Sequence, residues 1–255
     1  MQIATWSDGG GPRVMGRIEI DYEKLTKAIK DRNYSKGETV PSIVAMVAKG
    51  VSEGLFFIKK SVGRILLGNF IKSESMNVSI SVRMENNNEW FVTLRDCHSK
   101  TMSQIQSDYE KAVKDLKDGK DPLYNFVKNL SEKYPSFVIQ FVMMLVIFII
   151  SDVGVGIPFI GLKSFPFGML FILDNSNTNT IDNYGILNPM FKTGIHMTLN
   201  KPTEKPVVNG DKIEIQRLMN VNVCFDHRYA DGADGAKMIK KVYEYLDKID
   251  EHLKE

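Results

Sequence analysis

The sequence predicts an α/β protein, because strand-type and helix-type patterns of apolar residues alternate along the chain. Asn77 to Met84 alternates apolar and polar residues, and a polar tip, Glu85 to Glu89, leads into a second strand, Trp90 to Arg95, which predicts a hairpin. A second hairpin is predicted around Asn209-Gly210, a dipeptide favoured in tight turns. Between the two hairpins, Thr101 to Lys117 has the apolar spacing of a helix.

The N-terminal part of the chain predicts one strand and two helices. A strand is expected around Val14 to Ile20, followed by a helix from Tyr22 to about Asp31 with Asp21 as its N-cap. Pro41 is predicted to be the first residue of a second helix, which continues from Ser42 to about Glu53. That helix is largely apolar, so we expect it to be buried.

The most informative stretch lies near the C-terminus. Val221 to Phe225 alternates apolar and polar residues, which predicts a half-buried strand that carries His227 at its end. Asp231-Gly232 is a turn pair, and a helix is expected from about Ala233. Side chains at strand ends often reach into clefts, where rigid elements position them. The alternative is a buried structural histidine that is hydrogen-bonded to the backbone.

The pattern around this histidine is more specific than the histidine alone. His227-x-x-x-Asp231-Gly232, with Asp226 before it and Arg228 after it, resembles the signature of the acyltransferase (E2) catalytic domains of 2-oxoacid dehydrogenase complexes. Chloramphenicol acetyltransferase shares the core of that signature. The resemblance implies that His227 is the general base that removes a thiol proton from coenzyme A or dihydrolipoamide, so that the thiolate attacks an acyl thioester. It implies a mainly architectural Asp231, and Gly232 is expected to permit a tight turn that a side chain would crowd.

The same resemblance carries expectations about fold and assembly. Members of this family are two-layer α/β sandwiches around a mixed sheet, and they form trimers whose active sites lie between neighbouring subunits. The chain is therefore expected to be one such catalytic domain over residues 1–255, with an apolar insertion at about 134–173 and no lipoyl or subunit-binding domain. Coenzyme A or an acyl-CoA is the expected substrate, without a metal and without a lipoyl group on this chain. The acyl group, the acceptor and any larger assembly of trimers stay open.

One stretch departs from the family pattern. In the family, a strand that ends in Ser or Thr followed by Asn supplies a hydroxyl group to the developing oxyanion. The matching stretch begins at Phe171, and the best register puts Leu173 or Asp174 at the hydroxyl position. A carboxylate there would oppose the reaction unless it were protonated. A shift of one or two residues brings in Ser176 instead, with Thr178 next.

This departure leaves two functions open. In the first, the protein is a CoA-dependent acyltransferase with Ser176 or Thr178 as the oxyanion donor. In the second, it is a non-catalytic trimeric scaffold that binds CoA or an acyl group and has lost the oxyanion donor. The Asn- and Thr-rich run from Asn175 to Asn183 is also consistent with a simple polar loop.

An apolar segment interrupts the catalytic-domain pattern. Phe137 to Ile150 contains only one polar residue, Gln140. A membrane-spanning helix needs about 20 apolar residues, and shorter stretches are more often buried or interfacial. The pattern therefore favours a buried or oligomer-interface helix, and membrane contact through this segment is the minority interpretation.

Composition narrows the function classes further. The 255-residue chain has a net charge of +2 and no concentrated run of Lys and Arg, so nucleic acid is not an expected partner. Cys97 and Cys224 lie far apart in sequence, which predicts free thiols in a reducing cytoplasm, with Cys224 as a packed side chain. The N-terminus lacks a signal-peptide pattern and continues into a Gly/Pro-rich lead, Ser7 to Pro12.

The other histidines show no metal-ligand spacing and are expected to be surface or hydrogen-bonded residues: His98, His196 and His252.

Overall fold

The computed structural model of the protein describes residues 13–32, 34–35, 38–67, 69–84, 88–158, 162–188 and 191–254. The Gly/Pro-rich lead at residues 7–12 lies outside the described residues, as do residues 85–87 in the predicted tip of the first hairpin.

A mixed seven-stranded sheet forms the framework, with strand order β1-β9-β7-β6-β4-β5 and β8 paired to β9. The parallel pairs are β4 with β6 and β6 with β7, whereas β1, β5 and β9 run antiparallel to their neighbours. The mixed sheet confirms the predicted fold class. A separate two-stranded hairpin joins β2 to β3. The strands are β1 Arg13–Asp21, β2 Gly63–Leu66, β3 Asn69–Lys72, β4 Val78–Arg83, β5 Glu89–Leu94, β6 Leu170–Asp174, β7 Ile195–Leu199, β8 Thr203–Asn209 and β9 Lys212–Asp226.

The helices of the described chain lie between these strands and after the last one. A 3₁₀ turn, Cys97–Ser99, precedes the third helix, and a π-helical turn, Phe148–Val153, continues the fifth. The helices are α1 Tyr22–Asp31, α2 Ile43–Phe57, α3 Met102–Lys117, α4 Pro122–Lys133, α5 Ser136–Ile147, α6 Gly232–Asp247 and α7 Ile249–His252.

The ends of the helices follow from local capping. Asp21 accepts a hydrogen bond from the Lys24 N–H at 2.9 Å, which confirms it as the N-cap of α1. The prediction that Pro41 is the first residue of α2 was wrong. Ser42 is the N-cap of α2, and the helix begins at Ile43. Pro41 therefore precedes the cap, and α2 continues to Phe57, beyond the predicted end.

Both predicted hairpins are present. In the second, Asn209 pairs with Lys212, so the two turn residues are Gly210 and Asp211 rather than Asn209 and Gly210. Gly210 has a φ of 61°, a left-handed conformation that glycine adopts without steric cost. The hairpin signal was correct, and the position of the turn differed by one residue.

One face of the sheet packs against α2 and α6. The middle of α2 is completely buried, and Gly54 faces α6 so closely that an added Cβ would lie 2.8 Å from the Met238 carbonyl oxygen and 3.1 Å from Val242. A glycine is therefore required for the two helices to approach this closely. Their contact buries the apolar faces of both helices against the sheet.

The opposite face of the sheet is covered by loops and an aromatic cluster. Phe91 and Phe171 project from β5 and β6 and contact Phe167 and Phe191, with ring centroids 4.8 to 6.3 Å apart. His196 of β7 extends this cluster, since its ring centroid lies 5.2 Å from that of Phe171. The sheet is therefore buried on both faces near its centre.

The apolar segment forms α5 and the π-helical turn, and only one of its faces is buried. Phe137 is 72% exposed, and four further large apolar side chains share its face. The predicted helix is confirmed, but complete burial is not. By length and composition alone, Ser136–Val153 could also cross a membrane, a property that core helices of soluble proteins share. The exposed face contains Phe137, Phe141, Met144, Leu145 and Phe148.

We expect Gly54→Ala to lower the free energy of unfolding by roughly 1–3 kcal/mol, because its methyl group would collide with the backbone of α6. Gly232→Ala is the matched control, since an added Cβ there meets nothing within 4 Å. Urea unfolding of both variants measures the difference. Equal stability of the two variants would contradict the close approach of α2 and α6.

Candidate active site

His227 is the first residue beyond β9, in a turn that connects the strand to α6. Its side chain is exposed, whereas Asp226 directly before it is buried. The Arg228 guanidinium donates two hydrogen bonds to the Asp226 carboxylate, with Nε–Oδ1 at 3.0 Å and Nη2–Oδ2 at 2.6 Å. This bidentate ion pair, and the Arg228 backbone N–H bound to the same carboxylate, fix the backbone on both sides of the histidine.

The Asp226 carboxylate of this ion pair stays ionised, because its pKa is lowered. Burial by itself would raise the pKa of Asp226, but the hydrogen bonds and positive charge of Arg228 outweigh it and hold that pKa below its usual value. The carboxylate is therefore ionised at neutral and mildly acidic pH, and the turn keeps its restraint there. Asp226 and Arg228 thus form a structural ion pair beside His227.

Asp231 lies at the other end of the turn and is the N-cap of α6. Its carboxylate accepts a hydrogen bond from the Asp234 N–H at 2.8 Å, so within one chain it orders the start of the helix. The helix begins at Gly232, one residue before the predicted start. The expectation that Gly232 relieves crowding was wrong, because its φ is not left-handed and an added Cβ would meet no atom within 4 Å.

The stretch that should supply the oxyanion donor follows β6. Asp174 is the last residue of that strand, and its Oδ1 accepts a hydrogen bond from the Ser176 N–H at 3.0 Å. The Thr178 hydroxyl donates to the Asn175 carbonyl at 2.8 Å and is thus part of a local turn. Within the described part of the chain, the Ser176 hydroxyl has no recorded hydrogen bond. Leu173 precedes Asp174 within the strand and brings no polar group.

Hydrogen bonds hold the loop after β6 on the face of the sheet opposite α2 and α6. The Asn222 side-chain amide donates to Asp182 at 2.6 Å and to the Asn183 carbonyl at 2.9 Å. The Asn183 N–H in turn donates to Asn200 at 2.8 Å. The prediction of a polar loop is confirmed, and the asparagines of β9 and of the residue after β7 determine where that loop lies. Alternation along β9 had indicated which side chains share this face, but it could not indicate what they bind.

The strand register separates these two groups of residues. Asp174 pairs with Leu199, which pairs with Val221, whereas His227 lies six residues farther along the chain, just beyond the end of β9. At about 3.3 Å per residue along a strand, His227 and Asp174 are roughly 20 Å apart in one chain. A single copy of the protein therefore does not bring the candidate general base and the candidate oxyanion donors together.

His196 was expected to be a surface or hydrogen-bonded residue, but it is buried on the face of the sheet opposite α2 and α6. His196 is 8% exposed, and burial lowers its pKa from 6.5 to about 4, although a hydrogen bond to the Ile186 backbone opposes the shift. Its Nε2 has no hydrogen-bond partner among the described residues. The neighbouring Cys224 is buried, and burial raises the pKa of its thiol. Both groups are therefore neutral near pH 7, which agrees with a packed rather than reactive Cys224.

The remaining histidines have structural contacts. His98 Nδ1 lies 2.9 Å from the Glu53 carboxylate, and its ring stacks on Phe56. His252 stacks on Tyr245 with ring centroids 4.1 Å apart. Across the described ranges, no group of three or more His, Cys, Asp or Glu side chains is arranged to hold a metal ion.

We expect His196 to make the stability of the protein fall as the pH is lowered from about 6.5 to about 4, because the unfolded chain binds a proton that the folded chain excludes. The total loss should be roughly 3 kcal/mol, with no further change from this group below about pH 4. His196→Asn should lack this component. Urea unfolding of wild type and His196→Asn across this pH range measures the difference. Parallel curves for wild type and His196→Asn would show that His196 titrates normally.

The part of the chain that contains His227 is similar in sequence to known proteins. Residues 174–253 match the family model described as 2-oxoacid dehydrogenases acyltransferase (catalytic domain). The chain is 31% identical over 80 residues to the lipoamide acyltransferase component of the branched-chain alpha-keto acid dehydrogenase complex of Pseudomonas aeruginosa, an alignment that covers 29% of this chain and 19% of that protein. It is 31% identical over 78 residues to the mitochondrial dihydrolipoyllysine-residue succinyltransferase component of the 2-oxoglutarate dehydrogenase complex of Bos taurus, covering 27% and 16%. The chain thus aligns with about a fifth or less of the length of these relatives.

Solved structures extend the similarity of fold over nearly the whole chain. A probable dihydrolipoamide acetyltransferase from Listeria monocytogenes superposes with a TM-score of 0.69 at 14% identity, covering 94% of this chain and 86% of that one. The cubic core of the pyruvate dehydrogenase multienzyme complex gives 0.69 at 13% identity, covering 96% and 85%. A chloramphenicol acetyltransferase gives 0.52 at 11% identity, covering 92% and 89%. The chain therefore has the fold of E2 catalytic cores, and the part of it that contains His227 resembles the E2 acyltransferase catalytic domain in sequence as well.

Proposed function

We propose that this protein is a CoA-dependent acyltransferase in which His227 is the general base. The observation that carries the proposal is the position of His227, exposed on a turn restrained by the Asp226–Arg228 ion pair, within the segment that matches the acyltransferase family model. An exposed imidazole on a rigid turn can approach a thiol without a change in the fold. Rigid supports of this kind are what catalytic side chains require.

The proposed chemistry transfers an acyl group between two thiols or from a thiol to another acceptor. His227 takes the proton from the attacking thiol, amine or hydroxyl group, and the nucleophile then forms a bond to the thioester carbonyl carbon. The carbonyl oxygen carries the negative charge of the tetrahedral intermediate. When the intermediate collapses, the carbon–sulfur bond breaks and the leaving thiolate takes the proton back from the imidazolium of His227.

The proposed active site requires two copies of the chain. His227 and the Asp174–Thr178 stretch lie at opposite ends of the sheet, so a donor from that stretch can act on a substrate beside His227 only if it comes from a neighbouring copy. One structure with a similar fold is the cubic core of the pyruvate dehydrogenase multienzyme complex. A homotrimer, or a larger assembly of trimers, is the proposed active form.

Ser176 is the favoured oxyanion donor in this proposal. Its hydroxyl has no recorded hydrogen bond among the described residues, whereas the Thr178 hydroxyl is engaged with the Asn175 carbonyl. A free hydroxyl group can turn toward a developing negative charge. The Asp174 carboxylate is bound to the Ser176 N–H, and that hydrogen bond reduces but does not remove its repulsion of an oxyanion.

A second candidate is a non-catalytic scaffold that has the same fold and assembly and binds CoA or an acyl group. The observation that favours it is Asp174 itself, since a carboxylate occupies the end of the strand where the family has a hydroxyl group. Loss of one oxyanion donor typically lowers turnover about a hundred- to a thousandfold. Such a loss would leave binding intact while chemistry became slow.

We expect His227→Ala to lower kcat for acyl transfer at least about a hundredfold, because the thiol would lose its general base. Thiol release from a panel of acyl-CoAs, with a thiol, amine or hydroxyl acceptor present, measures the rate. His252→Ala is the matched control and should retain activity, and the oligomeric size of each variant is checked by light scattering. Equal activity of wild type and His227→Ala would rule out the proposed role of the histidine.

We expect Ser176→Ala to lower kcat about a hundredfold by removing the oxyanion donor, with little change in KM. Thr178→Ala is the matched control, since its hydroxyl is held in a local turn and is not free to act. The same acyl-CoA assay compares the two. If the wild type is inactive and the Asp174→Ser variant is active, the scaffold function is favoured. That result would show that the protein lacks only a hydroxyl group at position 174.

A further inference from the structure

A cavity of about 120 Å³ lies beside the turn that contains His227. Arg228 and Tyr229 of that turn form one wall, and Arg64 of β2 forms another. Ser151 of the π-helical turn and Lys192 belong to the polar lining, which also contains Asp152, Asn77, Ser73 and Ser75. Ile65 of β2 and Tyr229 line the same cavity, and the Tyr229 ring centroid lies 6.3 Å from that of Phe70 in β3.

Arg64 is an unusual cation because nothing in the described chain neutralises it. Its guanidinium carbon lies 3.2 Å from the centroid of the Phe165 ring. No ion pair or hydrogen bond from its side chain is recorded among the described residues, and its Nε is buried without a partner. Burial lowers its pKa, but an arginine retains its charge at neutral pH. Buried donors are almost always paired, so an unpaired guanidinium N–H is an exception that calls for a ligand.

A second unpaired donor lines the same cavity. Ser151 is only 3% exposed, and its Oγ is buried without a hydrogen-bond partner among the described residues. A buried hydroxyl group without a partner destabilises the folded state, because it has lost its hydrogen bonds to water. Arg64 and Ser151, each with a buried polar atom that has no partner among the described residues, therefore line the same cavity.

The other charges around the cavity balance one another. Lys192 lies 3.4 Å from the Asp152 carboxylate, and Arg228 pairs with Asp226. Arg64 is left as the one unbalanced charge of the described lining. The described lining thus has a net positive charge, and its one carboxylate, that of Asp152, is already paired with Lys192.

We propose that this cavity binds the oxyanion group of a small molecule, a carboxylate or a phosphate, with Arg64 as its counter-ion and the Ser151 hydroxyl as a second donor. A guanidinium group forms parallel hydrogen bonds to either kind of anion. Since the cavity shares Arg228 and Tyr229 with the His227 turn, the anion would be the charged end of the acyl group or of the acceptor. That last assignment rests on the proposed acyltransferase function, whereas binding of the anion does not.

The test measures binding to the full chain without any acyl-CoA, so that it can succeed or fail independently of catalysis. Inorganic phosphate and succinate are titrated by calorimetry against a background of chloride at matched ionic strength. Saturable binding of at least one of them to the wild type is expected, and the tighter of the two identifies the phosphate or the carboxylate as the preferred group. Absence of saturable binding for both would overturn the proposal.

Variants assign the binding to the cavity. Arg64→Gln is expected to weaken binding about tenfold or more, and Ser151→Ala several-fold, because each removes one donor to the anion. Arg217→Gln is the matched control, since Arg217 also lies over an aromatic ring, that of Tyr22, but does not line the cavity. Wild-type affinity in Arg64→Gln would overturn the proposal. If Arg64→Gln does not fold, Ser151→Ala decides, and wild-type affinity in that variant would overturn it equally.

Discussion

The pairing of β9 with three other strands is the constraint on which the rest of the structure depends. This 15-residue strand pairs with β8 along its first half, and with β1 and β7 along its second. Side chains alternate between the two faces of a sheet, so a shift of one residue in this register would exchange the faces. The present register sends Val221 and Val223 toward the helices and Asn222 and Cys224 toward the loops.

The same register determines the geometry of the candidate site. It puts His227 beyond one end of the sheet and Asp174 at the other, which makes a shared site between copies the simplest way to unite them. The cavity that we propose to bind an anion lies beside the His227 turn, and Arg64 and Ser151 line it. Binding and proton transfer would therefore use one end of one copy, and the oxyanion donor would come from the other end of its neighbour.

Elements whose signals are local agreed with the sequence prediction. Asp21 as the N-cap of α1 and the two hairpins depend on side chains and turn residues within a few positions, so the sequence contains them directly. Errors occurred at helix boundaries: α2 begins at Ile43, after its N-cap Ser42, rather than at Pro41, and α6 begins at Gly232 rather than at Ala233. The predicted starts differed from the observed ones by two residues and one residue.

The sequence by itself determined the fold class, the strand that ends at His227 and the acyltransferase resemblance, because periodicity and a short motif are properties of adjacent residues. Only the tertiary structure decided which distant groups meet. The pKa of His196, the exposed face of α5 and the unpaired Arg64 depend on burial by segments far away in the chain. Burial and hydrogen bonding of this kind arise when strands and loops pack, and no local pattern encodes them.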